Sequence, residues 1–133
     1  ESNVCEKGAY VIKMTSHNNE VTLVASGSEV ELALNVHNAL TENNIKSKVV
    51  SMPCQELFDK QSDDFKKDIL DKDTLIVTIE AGNVSSWKKY LGSKGLSLGI
   101  DRFGESAPYK KVYDHFNLSV EKIVSSIQKT LRK

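Results

Sequence analysis

Val21-Thr22-Leu23-Val24-Ala25-Ser26-Gly27-Ser28-Glu29-Val30-Glu31 passes from strand to helix within one short run. Val21, Leu23, Val24 and Ala25 form a nearly continuous apolar stretch, the pattern of a strand covered on both faces rather than one. Gly27 punctuates it. Ser28 and Glu31 then have capping-box spacing, in which the hydroxyl accepts from a backbone N–H and the carboxylate reaches back to the cap. The helix predicted from this start runs to about Asn43. Val30, Ala33, Leu34 and His37 lie on one stripe, with Leu32, Val36, Ala39 and Leu40 on an adjoining one. So broad an apolar surface requires a sheet beneath it. Asn43-Asn44 closes the helix and Lys46–Met52 supplies the next strand until Pro53 ends it. The unit is β-α-β, which ordinarily has a right-handed crossover.

The alternation extends in both directions. Ala9–Met14 is a β-prone run set off by the polar cluster Thr15-Ser16-His17-Asn18-Asn19. Downstream, Phe58, Phe65, Ile69 and Leu70 suit a helical segment before Thr74-Leu75-Ile76-Val77-Thr78-Ile79, the clearest strand in the chain. A short helix over Ser85–Leu91, carrying Trp87 and Tyr90, precedes a strand at Leu96–Ile100. Pro108 is placed as the first helical residue before Val112 and Phe116, where its missing N–H is not needed. Ser119 caps a final helix in which Val120, Ile123, Val124, Ile127 and Leu131 recur at helical spacing, with Lys129, Arg132 and Lys133 at the end favoured by the helix dipole. Strands alternating with helices predict a three-layer α/β/α domain around an open, mostly parallel sheet.

Composition agrees with one such domain. At 133 residues the chain is long enough for a single core, and no linker, repeat or composition break divides it. Residues 1–133 are read as one domain, with 1–8 as the remnant of a linker. The start at Glu1 rather than Met points to a piece of something longer or to processing. Lys plus Arg and Asp plus Glu number 18 each, so the formal net charge is zero and no whole-domain field draws in nucleic acid or an anionic membrane. Neither a spanning apolar run nor a signal peptide is present, and a cytoplasmic protein is expected. Cys5 and Cys54 lack CxxC spacing and have only His17, His37 and His115 scattered elsewhere, so neither a zinc site nor a disulfide is expected. The sequons at Asn83 and Asn117 are read as chance matches.

Chemistry is sought where parallel strands end, because ligands of such folds bind at that edge. Four turns collect there: Ser26-Gly27-Ser28, Met52-Pro53-Cys54, Glu80-Ala81-Gly82 and Arg102-Phe103-Gly104-Glu105. Gly27 and Ser28 are a candidate anion site through free helix N–H groups, but Ser28 and Glu31 already use part of that site for capping and Glu29 adds negative charge. Glu80 and Glu105 invite an acid/base reading, yet no His lies in these turns, so Glu105 is read as a packing or hydrogen-bonding residue at a domain junction. Cys54, at the opening of a helix, is read as an idle thiol rather than an activated one. His37 is read as a hydrogen-bonded packing residue, and Trp87 with Tyr90 as core or interface anchors rather than a stacking platform. Neither a GxxxxGK[ST] loop nor a GxGxxG fingerprint occurs. A receiver-type signalling domain would need Asp residues at the strand ends, where this chain has Ser26, Met52, Glu80 and Asp101.

Gly8-Ala9-Tyr10-Val11, Ala25–Val30, Ser51-Met52-Pro53-Cys54, Phe58-Asp59-Lys60-Gln61, Glu80-Ala81-Gly82, Trp87-Lys88-Lys89-Tyr90, Gly99–Gly104 and Ser106-Ala107-Pro108 follow one another in an order and spacing that resembles the C-terminal domain of transketolases. Each piece is weak alone; the set covers about Gly8 to Leu131. The Phe-Asp-Lys-Gln and Phe-Gly-Glu-Ser-Ala-Pro pair favours transketolases over related synthases and dehydrogenase subunits. The resemblance implies a sheet of about five strands with one, the first, antiparallel. It further implies a homodimeric three-domain parent of the pentose phosphate pathway that moves two-carbon ketol units between sugar phosphates. That parent would use thiamine diphosphate and a divalent cation, Mg or Ca, held by the other two domains. Gly-Asp-Gly, the family's diphosphate and metal element, does not occur in this chain. No catalytic, cofactor-binding or metal-ligating residue is therefore carried onto it, and the domain alone is expected to be inactive. Its expected partners are the other two transketolase domains, met through the loop Arg102, Phe103, Gly104, Glu105, Ser106, Ala107 and Pro108. The alternative is a regulatory module binding a small anion or nucleotide at Gly27 and Ser28.

Overall fold

Every residue of the strand Val21–Ala25 is buried, including Thr22, as its nearly continuous apolar pattern predicts, and the rest of the sheet is built outward from it. The computed structural model describes residues 7–27, 29–71, 73–80, 89–91, 95–99 and 120–132. The described strands are β1 (Tyr10–Met14), β2 (Val21–Ala25), β3 (Ser47–Ser51), β4 (Leu75–Glu80) and β5 (Leu96–Gly99), and the described helices are α1 (Glu29–Glu42), α2 (Gln55–Asp59), α3 (Asp63–Ile69) and α4 (Val120–Leu131). They form one five-stranded sheet in the order β1-β3-β2-β4-β5. β2 pairs in parallel with both β3 and β4, β4 pairs in parallel with β5, and β1 alone runs antiparallel, against β3. The first strand is thus the reversed one, as the family resemblance implied. Its ladder is irregular between Val11 and Lys13, where Ile12 is an extra residue of the kind that marks a β-bulge.

Alternation along the strands divides the interior into two layers. Val21, Leu23 and Ala25 of β2, with Val49, Val77 and Ile79, meet Ala33, Val36 and Leu40 of α1 and Ile123, Val124 and Ile127 of α4. Val24, Val50 and Ile76 point the other way, toward Met52, Phe58 of α2, Ile69 of α3, Leu70 and Tyr90. The three-layer expectation is met. Burial of these side chains stabilises the fold by roughly 1.5–3 kcal/mol for each large apolar residue.

Helix ends follow local chemistry. α1 stops because Asn44 takes a left-handed conformation, φ 62°. Ile45 N–H then donates to Leu40 O at 2.9 Å and Asn44 N–H to Thr41 O at 3.0 Å, satisfying two carbonyls of the last turn. The helical segment read across Phe58–Leu70 is in fact two helices. Ser62 has extended backbone and its Oγ accepts from Phe65 N–H, so it begins a new helix rather than continuing the old one. Ser62-Asp63-Asp64, a cap residue followed by two acids, is the sequence signal for that restart.

Ser28 of the capping box, the Ser85–Lys88 part of the predicted short helix, Ile100, the Pro108 helix and Ser119 lie outside the described residues. So do Cys5, Glu105, His115, both sequons and the whole Arg102–Pro108 loop.

Candidate functional site

β2, β3, β4 and β5 end at the same edge of the sheet, with Ala25, Ser51, Glu80 and Gly99 as their last residues. Met52 N–H donates to Ala25 O at 2.9 Å, tying the first two of these ends together. Gly27 has φ +59°, a conformation that favours glycine although the space around it is open. Beside it, Glu29 is buried at the start of α1, a position where the helix dipole favours a carboxylate. Ser28, its neighbour in the proposed anion turn, lies outside the described residues. Glu80 is half-buried and engaged in interactions of its own.

The most developed polar arrangement near this edge centres on Asp59, the last residue of α2. Its Oδ2 accepts from Lys89 Nζ at 2.7 Å and its Oδ1 accepts from the Tyr90 hydroxyl at 2.9 Å. Phe58, one residue earlier, is fully buried and meets the Tyr90 ring edge-on, with centroids 5.7 Å apart and an interplanar angle of 76°. Phe65 of α3 completes the aromatic group at 6.1 Å from Phe58. Tyr90 is therefore apolar at its ring and polar at its tip, and both ends find a partner.

The electrostatics of the pair follow from this geometry. Burial raises the Asp59 carboxyl, but the hydrogen bonds from Lys89 and Tyr90 outweigh it and hold the group below its ordinary value. Burial, then the adjacent Asp59 carboxylate, pushes the Tyr90 phenol well above its usual range. A phenol so held stays protonated and remains a donor, which suits a permanent hydrogen bond and not proton transfer. The ion pair with Lys89 is exposed on both sides and contributes little by itself.

Gly8 brings the chain's entry onto the same structure. Its φ is +86°, and a Cβ there would collide with the carbonyl oxygen of Cys54 and the backbone nitrogen of Phe58. Gly8 O accepts from Cys54 N–H at 3.2 Å. Cys54 precedes α2 with extended backbone and makes no side-chain cap; it is a half-buried free thiol. His37 is buried on α1, its Nδ1 2.6 Å from Ser47 Oγ, in keeping with a hydrogen-bonded packing residue. Tyr90 is buried in the second core layer, as read for a core anchor, and Trp87 lies outside the described residues.

Asp59 and Tyr90 thus join two separate pieces of sequence, Phe58-Asp59-Lys60-Gln61 and Lys89-Tyr90, onto the Gly8 entry. The model of the transketolase-like C-terminal domain matches residues 8–119. The chain belongs to the transketolase C-terminal domain family. It is 43% identical over 124 residues to the chloroplastic transketolase of Spinacia oleracea, covering 91% of this chain and 17% of that protein. It is 42% identical over 130 residues to the transketolase of Bacillus subtilis, covering 96% of this chain and 20% of that one. Among solved structures, the transketolase of Leishmania mexicana superposes with a TM-score of 0.86 at 35% identity, over 98% of this chain and 19% of that chain. This transketolase domain spans about a fifth of the length of those curated relatives.

A divalent cation finds no ligand set in the described part of this transketolase domain. Among the described residues no three His, Cys, Asp or Glu side chains converge to hold a metal ion. Asp59, Lys89 and Tyr90 are instead bound to one another. Sequence reasoning singled out Tyr90 and quoted Asp59 within a motif, but did not bring them together. A carboxylate at the end of an apolar helix and a tyrosine beside a lysine were the available signals, and neither names its partner.

Proposed function

We propose that this chain is the non-catalytic packing domain at the C-terminal end of a transketolase. On this reading the whole enzyme is a homodimer of the pentose phosphate pathway that transfers two-carbon ketol units between sugar phosphates. Thiamine diphosphate and a divalent cation are held by the other two domains, and this domain buttresses them. The observation that carries the reading is the family match over residues 8–119 in a chain spanning about a fifth of its relatives. The commitment of Gly8, Phe58, Asp59 and Tyr90 to internal packing supports a scaffold role near the strand-end edge. Residues 1–133 form a single domain with 1–8 as linker, and Arg102–Pro108 is the loop that meets the neighbouring domain. Cytoplasmic residence belongs to the same reading; the spinach relative is, by its name, a chloroplast protein.

Two measurements test the proposal. The chain, mixed with a polypeptide comprising the other two domains of the same transketolase, is expected to bind it and raise its melting temperature; absence of both effects overturns the packing role. Supplied alone with thiamine diphosphate and magnesium, the chain is expected to give no ketol transfer. Turnover by a pure sample would put the active site here after all.

A further inference from the structure

The opposite edge of the sheet, where the parallel strands begin, holds a second polar arrangement that the packing role does not use. Lys48 is the second residue of β3 and stands opposite Met14 of β1 in the antiparallel ladder. Its side chain turns toward α3, and the residue is only 8% exposed. Nζ donates to the Asp68 carbonyl at 2.8 Å, within the last turn of that helix. That bond uses one of the three hydrogens of an ammonium group. Among the described residues no carboxylate comes within ion-pair distance of it; the ion pairs formed are Lys66 with Asp63 and Lys89 with Asp59. A buried cation in this state is costly to maintain, and burial lowers its proton affinity despite the more distant Asp71 and Asp68.

A groove of about 370 Å³ opens onto Lys48, bounded by Val11 and Met14 on one side and by Asp68, Asp71 and Asn19 on the others. That volume lies within the range of small-ligand sites. Asn19 donates through Nδ2 to Ser16 O at 2.6 Å, which fixes the amide orientation, and its Oδ1 is buried and, among the described residues, has no hydrogen-bond partner. Two residues that line the groove therefore lack a counterpart among the described residues: Lys48 has no anion, and the buried Oδ1 of Asn19 has no donor. Val11 and Met14, 37% and 42% exposed, add apolar surface beside them. Asp68 and Asp71 line the groove together with Lys67 and His17, so one carboxylate can pair directly with Lys48, whereas a second negative charge on the same ligand would meet the two aspartates.

We propose that this groove binds a small monocarboxylate that bears a hydrogen-bond donor beside its carboxyl group and an aliphatic tail, as α-amino and α-hydroxy acids do. The carboxylate pairs with Lys48, the amino or hydroxyl donor satisfies Asn19 Oδ1, and the tail covers Val11 and Met14. The inference stands apart from the transketolase reading, since it uses neither the strand-end edge nor the domain-contact loop.

The test is a heteronuclear NMR titration of the protein with four probes: L-leucine, L-2-hydroxy-4-methylpentanoate, 4-methylpentanoate and inorganic phosphate. Saturable shifts at Lys48, Asn19 and Met14 are expected with the first or second probe at millimolar concentration, and which of the two binds tells an ammonium donor from a hydroxyl donor. 4-Methylpentanoate, which lacks the donor, should bind several-fold more weakly. Lys48→Met should weaken binding by about tenfold or more, and Asn19→Ala should erase the preference over 4-methylpentanoate. If Lys48→Met does not fold, the wild-type Lys48 Cε shift decides: its titration moves to higher pH on binding, and an unmoved titration overturns the site. Flat titrations with all four probes, equal binding of phosphate, or full binding by a folded Lys48→Met protein also overturn it.

Discussion

Tyr90 donates its phenolic hydrogen to Asp59 Oδ1 at 2.9 Å across 31 residues of sequence, and this bond fastens the end of α2 to the segment leading into β5. Tyr90→Phe keeps the ring against Phe58 and deletes the bond to Asp59. Because Asp59 is partly exposed, the expected loss is about 1 kcal/mol, at the low end for a hydrogen bond to a charged group. Lys89→Met should cost less than about 0.5 kcal/mol. Urea denaturation measures both; an unchanged midpoint for Tyr90→Phe would mean the bond contributes nothing.

Because Asp59 is held below its ordinary value, its contribution to stability is present above the unfolded carboxyl pKa, about 3.9, and is lost as pH falls through the folded value. In Tyr90→Phe one of the two donors is gone. The Asp59 carboxyl should then titrate at higher pH than in the wild type, measured by NMR of its side-chain carbon.

His37 acts in the same sense but over a higher pH range. Burial, and secondarily the charge of Lys13, lowers its pKa below 6.5, so the unfolded chain takes up a proton before the folded one does. Stability should be level above that value and fall as pH drops from it toward the folded pKa. His37→Gln should flatten this part of the curve when melting temperature is followed from neutral to mildly acid pH. An equal slope in both proteins would assign the acid sensitivity elsewhere.

Gly8 and Gly27 both have positive φ, but their surroundings differ. Gly27→Ala meets nothing within 4 Å among the described residues and should cost about 1–2 kcal/mol, the penalty of the left-handed conformation. Gly8→Ala adds a collision with Cys54 and Phe58 backbone atoms, and should cost more than that or prevent the entry segment from docking. Denaturation midpoints order the two, and equal losses would show that the contact at Gly8 relaxes without cost.

Thr78 lies within β4 with its hydroxyl oxygen buried and, among the described residues, without a hydrogen-bond partner. Thr78→Val replaces that hydroxyl by a methyl group of similar shape. The expected effect is a gain of about 1 kcal/mol. A loss of similar size by calorimetry would reveal a partner for the hydroxyl.

The central architecture was legible because its signals are local. The apolar run Val21–Ala25 can only be a strand buried on both faces, and Asn43-Asn44 ends α1 through a residue that tolerates left-handed backbone. The sheet order was not, because the pattern of β3 is satisfied equally by any neighbour; β1 was oriented from family resemblance alone. Ser62 was passed over because Phe58, Phe65 and Ile69 keep a plausible helical spacing across the break. The Asp59–Tyr90 bond and the Lys48 groove escaped for a common reason. Each is made by residues from separate elements whose meeting depends on the order of strands, and periodicity within one element carries nothing about it.

The reversal of β1 sets where the polypeptide enters. Tyr10 pairs with Ser51, the last residue of β3, so Gly8 arrives at the edge where the parallel strands finish. In open α/β folds that rim is commonly left free for a ligand. Here part of it is taken up by incoming backbone wedged against α2, while the far rim, beside the departing end of β1, carries the Lys48 groove. One antiparallel strand therefore brings the incoming backbone to the rim where β2 to β5 finish and delivers the chain to the rim where they begin.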